Sequence, residues 1–361
     1  MSEAQRITVA ALADGAVDRL LEPNVLEAPA LIAVEIGDES DEDLTRAVCR
    51  VATTDRVVVG MWRDSLRPPG GRLDGLLEAL DTTYSAAPDV DRRCIADDVD
   101  TAVARLAGIA ERRPATMRVF AAAVRIAATL PLPAALEVES LAYSTLLAGA
   151  EHRAWLAGRL ERGTIQPPPP VRRAVRVERH ADELRLVLDR PERRNAFGAQ
   201  LRNELVAGLQ IAVADDGIRE VTISGAGPAF CSGGDLGEFG DTVDHATSHL
   251  VRTRGGPARL VHELGERVRF RVHGACIGAG TELPSIGSRV TADPTSFFRL
   301  PEVEMGLIPG AGGTAGLPSR IGRWRTFGLC ASGVAIDATT AKRWGLVDEI
   351  AGMSPEPAEE R

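Results

Sequence analysis

The segment from His273 to Thr314 constrains the fold most, because it holds two glycine-rich turns and two glutamates in a fixed order. Apolar residues alternate with arginines from Val268 to Val272, which is the pattern of a β-strand. Gly278-Ala279-Gly280 follows, and glycines let backbone N–H groups point inward without side-chain bulk. Glu282 comes next, at the start of a predicted helix, and Glu302 follows about twenty residues later, behind a second predicted strand. Two carboxylates beside such donors are typical of acid–base chemistry at a polarised carbonyl group.

Three motifs in this segment occur in an order that is shared with a known family. Gly278–Leu283 reads G-A-G-T-E-L, Pro301-Glu302 follows, and Gly306–Thr314 reads G-L-I-P-G-A-G-G-T. In this order they resemble the enoyl-CoA hydratase/isomerase, or crotonase, superfamily. A single G-x-G turn would be a weak signal, but several ordered motifs are a specific one.

Two upstream stretches extend the resemblance. Arg190–Ala196 reads R-P-E-R-R-N-A and resembles the family's R-P-x-x-x-N-A turn, while Phe230–Leu236 resembles its F-x-A-G-x-D-L loop, with Ser232 in place of the alanine. The combined pattern covers Val175 to about Ile350. Many members carry a lysine directly after this loop, whereas this chain has Gly237. That departure weakens the expected contact with coenzyme A and leaves a carrier-protein thioester open as the substrate.

The resemblance implies specific roles for four residues. The backbone N–H groups of Gly234 and Ala279 match the family's oxyanion hole, which holds a thioester carbonyl while enolate charge develops on it. Glu282 and Glu302 match the hydratase pair that activates water and exchanges a proton at the α-carbon. Isomerases of the family generally need only a residue like the second, so the presence of both favours hydration of an α,β-unsaturated acyl thioester.

The remaining expectations concern ligands. By resemblance, Ala196, Ser232 and Gly310 contact the substrate, and coenzyme A enters only as part of that substrate, with no other cofactor. No metal is expected: His245 and His249 lie one helical turn apart, but no third ligand is evident and a solvated helix face explains them more simply. The resemblance also implies a homotrimer or a homohexamer.

Several alternatives stay open at this stage. Another enolate reaction of the superfamily, namely isomerisation, thioester hydrolysis or cofactor-free dioxygenation, fits the same motifs. A non-catalytic crotonase-like subunit is a further alternative, although the intact glutamate pair counts against it. In the simplest interpretation, both glycine turns merely close strand-to-helix connections, and Glu282 only compensates a helix dipole.

Composition excludes some classes of function. The net charge of −9 argues against a general nucleic-acid surface, and no apolar run approaches the length of a membrane span. The N-terminus lacks a signal-peptide pattern, so a cytoplasmic protein is expected. The five cysteines are scattered singly and form no CxxC motif. Lys342 is the only lysine and lies far from the glycine turns, which disfavours Schiff-base chemistry.

The chain divides into three predicted segments of an α/β protein. Residues 1–92 are predicted to form a vestigial α/β segment, with a loosely structured lead to residue 29 that contains a short amphipathic piece, and with strands near 30–36 and 56–62. Residues 93–166 form a helical region that resembles the helices following the core in ordinary crotonases. Residues 171–350 form the crotonase-like ββα spiral core. Pro167–Pro170 is interpreted as a stiff linker between independently packed regions. The helices of 96–162 are expected to cover the core, either of the same chain or of a neighbouring subunit.

Overall fold

The structure is a computed structural model that describes residues 4–17, 28–88, 90–161, 163, 173–240 and 244–352. The strands are β1 (Gln5–Thr8), β2 (Leu31–Glu35), β3 (Val57–Trp62), β4 (Thr82–Ser85), β5 (Cys94–Ala96), β6 (Val175–His180), β7 (Glu183–Leu188), β8 (Glu220–Gly225), β9 (Val268–Val272), β10 (Ala275–Ile277), β11 (Arg289–Ala292), β12 (Phe297–Arg299), β13 (Ile336–Asp337) and β14 (Glu349–Ile350). The helices are α1 (Val9–Ala13), α2 (Asp41–Thr53), α3 (Asp74–Ala79), α4 (Val99–Arg112), α5 (Pro114–Ala127), α6 (Leu132–Leu147), α7 (Ala150–Glu161), α8 (Ala199–Ala214), α9 (His245–Gly255), α10 (Ala258–Leu264), α11 (Ala279–Glu282), α12 (Gly313–Ser332) and α13 (Ala338–Trp344).

The N-terminal part is built on a parallel sheet of order β1-β2-β3-β4-β5. Side chains alternate across its faces. Ile32 and Val34 belong to the core formed with α1–α3, whereas Leu31 and Ala33 belong to the core formed with α4, α5 and α12. Both faces are therefore covered, which explains why β2 and β3 are continuous apolar runs.

The sequence predicted part of this sheet. The strands expected near 30–36 and 56–62 are confirmed as β2 and β3. The prediction of a loosely structured lead is wrong for residues 5–13, because β1 pairs with β2 and Val9 and Leu12 of α1 are fully buried, while residues 18–27 lie outside the described residues. The strand β4 went unpredicted, since its sequence T-T-Y-S has no apolar run although all four residues are buried.

A second sheet forms the core of the C-terminal part, with the order β14-β11-β9-β8-β7-β6. Its strands are parallel except for β6, which pairs antiparallel with β7. In β9, Val268, Phe270 and Val272 are buried and the two arginines between them are exposed, as the alternating sequence predicts. A small sheet of order β10-β12-β13 lies at the end of this core and carries the first glycine turn.

Helices α4 and α5 pack against the N-terminal sheet, and α4–α7 contact α12 or the turn Glu302–Met305 of the C-terminal part. Helices α5 and α6 contact α12, α6 also contacts α9, and the ring of Phe120 in α5 stacks on Phe327 of α12 with centroids 5.4 Å apart. One hydrophobic core runs from the N-terminal sheet through these helices into the C-terminal sheet. The expectation of independently packed regions is therefore wrong, and Pro167–Pro170 lies outside the described residues. Within the described parts of the chain, no helix has the length and apolar character needed to cross a bilayer.

Candidate active site

A cavity of about 350 Å³ lies between the end of the C-terminal core and the helices α6, α7 and α9. Most of the residues that the sequence singled out line it, namely Gly234, Ala279, Glu282, Glu302 and Gly310. These residues come from different segments of the chain, a loop, the helix α11 and the turns around Glu302 and Gly310, and the fold brings them to one place. Neither Ala196 nor Ser232 belongs to the lining.

Two backbone N–H groups face this cavity without a partner. Phe197 pairs with the loop by donating to the carbonyl of Gly233 at 2.7 Å and accepting from Asp235 N–H at 3.2 Å, so the Gly234 N–H between them points to the other side. Ala279 is the first residue of α11, where an N–H has no acceptor within the helix. Neither group donates a hydrogen bond to any residue in the described ranges. Both N–H groups are therefore available as hydrogen-bond donors at the cavity.

The turn before α11 requires glycine for two reasons. Gly278 has φ 51° and ψ −120°, a conformation that L side chains rarely adopt. A Cβ atom at this position would also lie 2.6 Å from Oε1 of Glu302. The glycine thus leaves the space that the Glu302 carboxyl group occupies beside the turn.

Glu282 is held by the N-terminus of α12. The side chain is 3% exposed, and its Oε2 accepts hydrogen bonds from the N–H groups of Ala311 at 2.7 Å and Gly313 at 3.0 Å. It lies in the first turn of α11, which confirms the helix start that the sequence predicts at this position. Burial, followed by the nearby charges of Glu302 and Glu139, raises the pKa of Glu282 well above its usual value.

Glu302 has a different environment. It begins a short 3-10 turn after Pro301, and its Oε2 is buried with no hydrogen-bond partner in the part of the chain that is described. Burial raises its pKa to about 7, and the carboxyl group of Glu139 adds to the increase. A carboxyl group with this pKa exchanges its proton near neutral pH.

Glu139 of α6 is a third buried carboxyl group that the sequence analysis missed. Its side chain is 2% exposed and accepts from Gly312 N–H at 2.7 Å, from Thr314 N–H at 2.7 Å and from the Thr314 hydroxyl at 2.5 Å. Burial raises its pKa to about 7. The sequence did contain a signal for this residue. Glu137 and Glu139 are two positions apart on a helix and therefore point to opposite sides, so one of the two carboxyl groups has to face the interior.

The three carboxyl groups Glu139, Glu282 and Glu302 form one electrostatic cluster. Like charges in a desolvated site cannot all be ionised together, so the cluster retains a proton near neutral pH. The two N–H bonds to Glu282 favour its charged form, whereas Glu302 Oε2 has no such donor. Burial and the two neighbouring carboxyl groups favour the protonated form of Glu282 against these N–H bonds, so Glu282 and Glu302 share the proton between them.

The helical region forms one wall of the cavity. From α6 and α7, the residues Leu136, Glu139, Ser140, Tyr143, Leu147 and His152 line it. The ring of Tyr143 lies against Gly310, where an added Cβ would come within 2.5 Å of Cδ2. His152 bonds through Nδ1 to the carbonyl oxygen of Met305 at 2.9 Å, next to the turn that carries Glu302. The helices predicted to cover the core therefore lie on its cavity from within the same chain.

Comparisons with known proteins show which family this chain resembles. The enoyl-CoA hydratase/isomerase family model matches residues 181–355. The 2,3-dehydroadipyl-CoA hydratase of Escherichia coli (strain K12) is 34% identical over 174 residues, which cover 48% of this chain and 68% of that protein. The chain belongs to the enoyl-CoA hydratase/isomerase family. Its six-stranded sheet and small end sheet are the crotonase-like core, preceded by an N-terminal helical region.

Other proteins that are similar to this chain are named for different activities. Enoyl-CoA isomerase/hydratase fer4 of Mycosarcoma maydis is 35% identical over 175 residues, which cover 46% of this chain and 64% of that protein. The 1,2-epoxyphenylacetyl-CoA isomerase of Escherichia coli is 34% identical, with the same two coverages of 46% and 64%. The chain thus spans a little less than two thirds of these relatives. A solved enoyl-CoA hydratase/isomerase from Marinobacter aquaeolei is 30% identical and has a TM-score of 0.46 over 50% of this chain and 71% of its own.

The R-P-x-x-x-N-A turn of the family has a structural role here. The Asn195 side chain is fully buried, accepts from Arg190 N–H at 2.8 Å and donates to the carbonyls of Ala226 and Ala229 at 3.0 and 2.9 Å. It thereby fixes Ala196 close to the loop of Ser232, outside the cavity lining. Their substrate contacts stay predictions.

Two polar side chains of this part of the chain already have protein partners. Arg193 forms an ion pair with buried Asp235 at 2.5 Å. His249 does not lie on a solvated face, because it contacts Ser140 of α6 at 3.0 Å and Glu137 at 3.4 Å. Within the described ranges, no group of three or more His, Cys, Asp or Glu side chains is arranged to bind a metal ion.

Proposed function

We propose that this protein hydrates the double bond of an α,β-unsaturated acyl thioester. The observation that carries the proposal is that one cavity is lined both by the free N–H groups of Gly234 and Ala279 and by the carboxyl groups of Glu282 and Glu302. The names of relatives in this family, which include a 2,3-dehydroadipyl-CoA hydratase, support the same class of reaction.

The geometry supports the following mechanism. The thioester carbonyl oxygen accepts hydrogen bonds from Gly234 and Ala279, which stabilise the enolate as charge moves onto that oxygen; such a donor is worth about 3 kcal/mol. Glu282, as the carboxylate, takes a proton from a water molecule whose oxygen bonds to the β-carbon. Glu302 gives its proton to the α-carbon, and the proton held by Glu282 restores the shared proton of the pair.

The reaction needs no cofactor besides the carrier of the thioester, which is coenzyme A or a carrier protein. The two N–H donors supply the polarisation that a Lewis acid would otherwise give. Treatment with a chelator should leave the rate unchanged, and a metal requirement that added Mg²⁺ or Zn²⁺ restores would contradict this part of the proposal. We expect the protein to act as a homotrimer or homohexamer, which light scattering would measure.

The test is a panel of enoyl thioesters followed by the loss of conjugated absorbance. Glu282→Gln and Glu302→Gln should each lower kcat by about 100-fold or more, because each removes a positioned acid–base group. Glu304→Gln is the matched control: Glu304 lies two residues from Glu302 but pairs with Arg112 at the surface. Normal turnover in either active-site variant would exclude the assigned role of that residue.

Other outcomes identify the alternative reactions. If only Glu302→Gln is severe and a double bond migrates, the activity is isomerisation. Oxygen uptake with aryl-acetyl thioesters would indicate the dioxygenase reaction, and release of free thiol would indicate hydrolysis. An absence of turnover in every assay, together with normal folding, would favour the non-catalytic subunit.

A further inference from the structure

The side chain of Arg252 forms part of the cavity wall and is held there by neutral groups. It comes from α9, and its Nε donates to the Ser140 hydroxyl at 3.1 Å. Its Nη2 donates to the Ser140 carbonyl at 3.3 Å and to the Ser144 hydroxyl. The guanidinium group lies over the ring of Tyr143, with Cζ 4.5 Å from the centroid. These contacts fix the position of the cation but do not neutralise it.

No carboxylate lies within salt-bridge distance of Arg252 in the described parts of the chain, and its Nη1 donates to none of those residues. Arg259 lines the same cavity but forms an ion pair with Glu137. Glu139 interacts electrostatically with Arg252, but both carboxylate oxygens of Glu139 accept hydrogen bonds from α12 and none from Arg252. A half-buried guanidinium group without a bonded anion is costly, and a ligand that supplies the anion recovers that cost.

The position of Arg252 along the cavity indicates which part of a substrate would reach it. Tyr143 lies between Arg252 and the glutamates: its ring touches Gly310, and Glu302 and Glu282 act on its hydroxyl group. A thioester whose carbonyl group lies at the oxyanion donors places its α- and β-carbons beside those glutamates. If the proposed function holds, the rest of the acyl chain would continue past Tyr143 towards Arg252, and the carrier would leave from the opposite side of the carbonyl group.

We propose that Arg252 binds a carboxylate at the far end of the acyl chain, so that the substrate class is the monothioester of an unsaturated dicarboxylic acid. The direction of the acyl chain in this inference rests on the proposed function. The cavity should discriminate strongly between acyl chains that end in a carboxylate and those that end in a methyl group. A terminal methyl group would leave the half-buried Arg252 cation without an anionic partner.

Binding of unreactive saturated thioesters tests the inference without requiring turnover. Titration calorimetry on the full chain would compare succinyl- to pimeloyl-CoA with butyryl- to heptanoyl-CoA of matched length. At the best length, the dicarboxylic thioester should bind about 10- to 100-fold more tightly, which corresponds to one charge-assisted hydrogen bond. Arg252→Gln should bring that ratio close to one. Arg254→Gln, an exposed position in the same helix, should keep it.

Two results would overturn the inference. One is that the wild-type chain binds the dicarboxylic and the monocarboxylic thioesters with equal affinity. This result would exclude the Arg252 site even if Arg252→Gln fails to fold. The other is a preference that persists in folded Arg252→Gln, since the carboxylate would then bind elsewhere. Because these titrations involve no chemistry, failure of the hydration assay alone would count against the proposed function and not against the Arg252 site.

Discussion

Two glutamates share the N-terminus of α12, and successive backbone N–H groups alternate between them. Ala311 and Gly313 donate to Glu282, whereas Gly312 and Thr314 donate to Glu139. The partial positive charge at the start of a helix stabilises carboxylates, and here it is divided between two. Glu139 therefore positions the same turn that holds Glu282, and its charge acts on both catalytic candidates.

Replacing Glu139 by Gln should change the pH dependence of the reaction. The charge of Glu139 raises the pKa of Glu302, so its loss lowers that pKa and moves the alkaline limb of the kcat/KM profile to lower pH. The measurement is kcat/KM against pH for the wild type and the variant. Glu137→Gln, on the outer side of the same helix, should leave the limb in place. An unchanged limb in Glu139→Gln would mean that the residue only anchors the helix.

Glu302 should also make the stability of the protein depend on pH. Its folded-state pKa of about 7 lies above the ordinary value of 4.5, so the folded state binds its proton more tightly than the unfolded state does. The free energy of unfolding therefore falls as pH rises from about 4.5 to 7. Glu302→Gln cannot ionise, so its free energy of unfolding does not fall in this way. Urea unfolding should show the variant to be more stable than the wild type by up to about 3 kcal/mol at pH 8, and the two should be equally stable at pH 4. An equal difference at both pH values would contradict the raised pKa.

At the scale of single elements, the turn between β10 and α11 couples backbone conformation to the chemistry. Gly278→Ala should cost about 1–3 kcal/mol of stability through its strained φ, and it should lower kcat towards that of Glu302→Gln because the new methyl group displaces the carboxyl group. Thermal unfolding and turnover measure the two effects. Gly158→Ala is the control, since a Cβ in this part of α7 meets nothing within 4 Å. Full activity in folded Gly278→Ala would show that Glu302 does not need this space.

The motifs of the candidate site could be predicted from sequence because each is local. The glycine turns, Glu282 and Glu302 lie in short strand–turn–helix units, and the residue types within each unit are enough to predict its backbone conformation. Glu139 and Arg252 could not be assigned in this way. The bond from Gly312 to Glu139 joins residues 173 positions apart, and the contact of Arg252 with Ser140 spans 112. No local pattern reports such a contact, and β4 was missed because its burial comes from neighbouring strands.

At the scale of the whole molecule, the C-terminal core depends on the rest of the chain. Arg325 of α12 donates to the carbonyls of Val90 and Asp91 beside the N-terminal sheet, and Phe327 stacks on Phe120. Residues 171–361 expressed alone should therefore be poorly soluble and inactive, because α12 loses its cover and the cavity loses one wall. Separately expressed residues 1–170 should restore activity on mixing. A soluble, fully active fragment would show that the preceding residues are an independent appendage.

The order of the cavity wall in the chain has a consequence during synthesis on the ribosome. Glu139 leaves the ribosome 173 residues before Gly312, its partner in α12, which corresponds to a delay of roughly 10–35 s. During this delay the faces of α5 and α6 that will meet α12 are apolar and uncovered. A carboxylate in the middle of such a face opposes premature self-association, as a charge beside an apolar stretch does in general. We therefore expect the Glu139 side chain to disfavour association between nascent chains before it binds the N-terminus of α12.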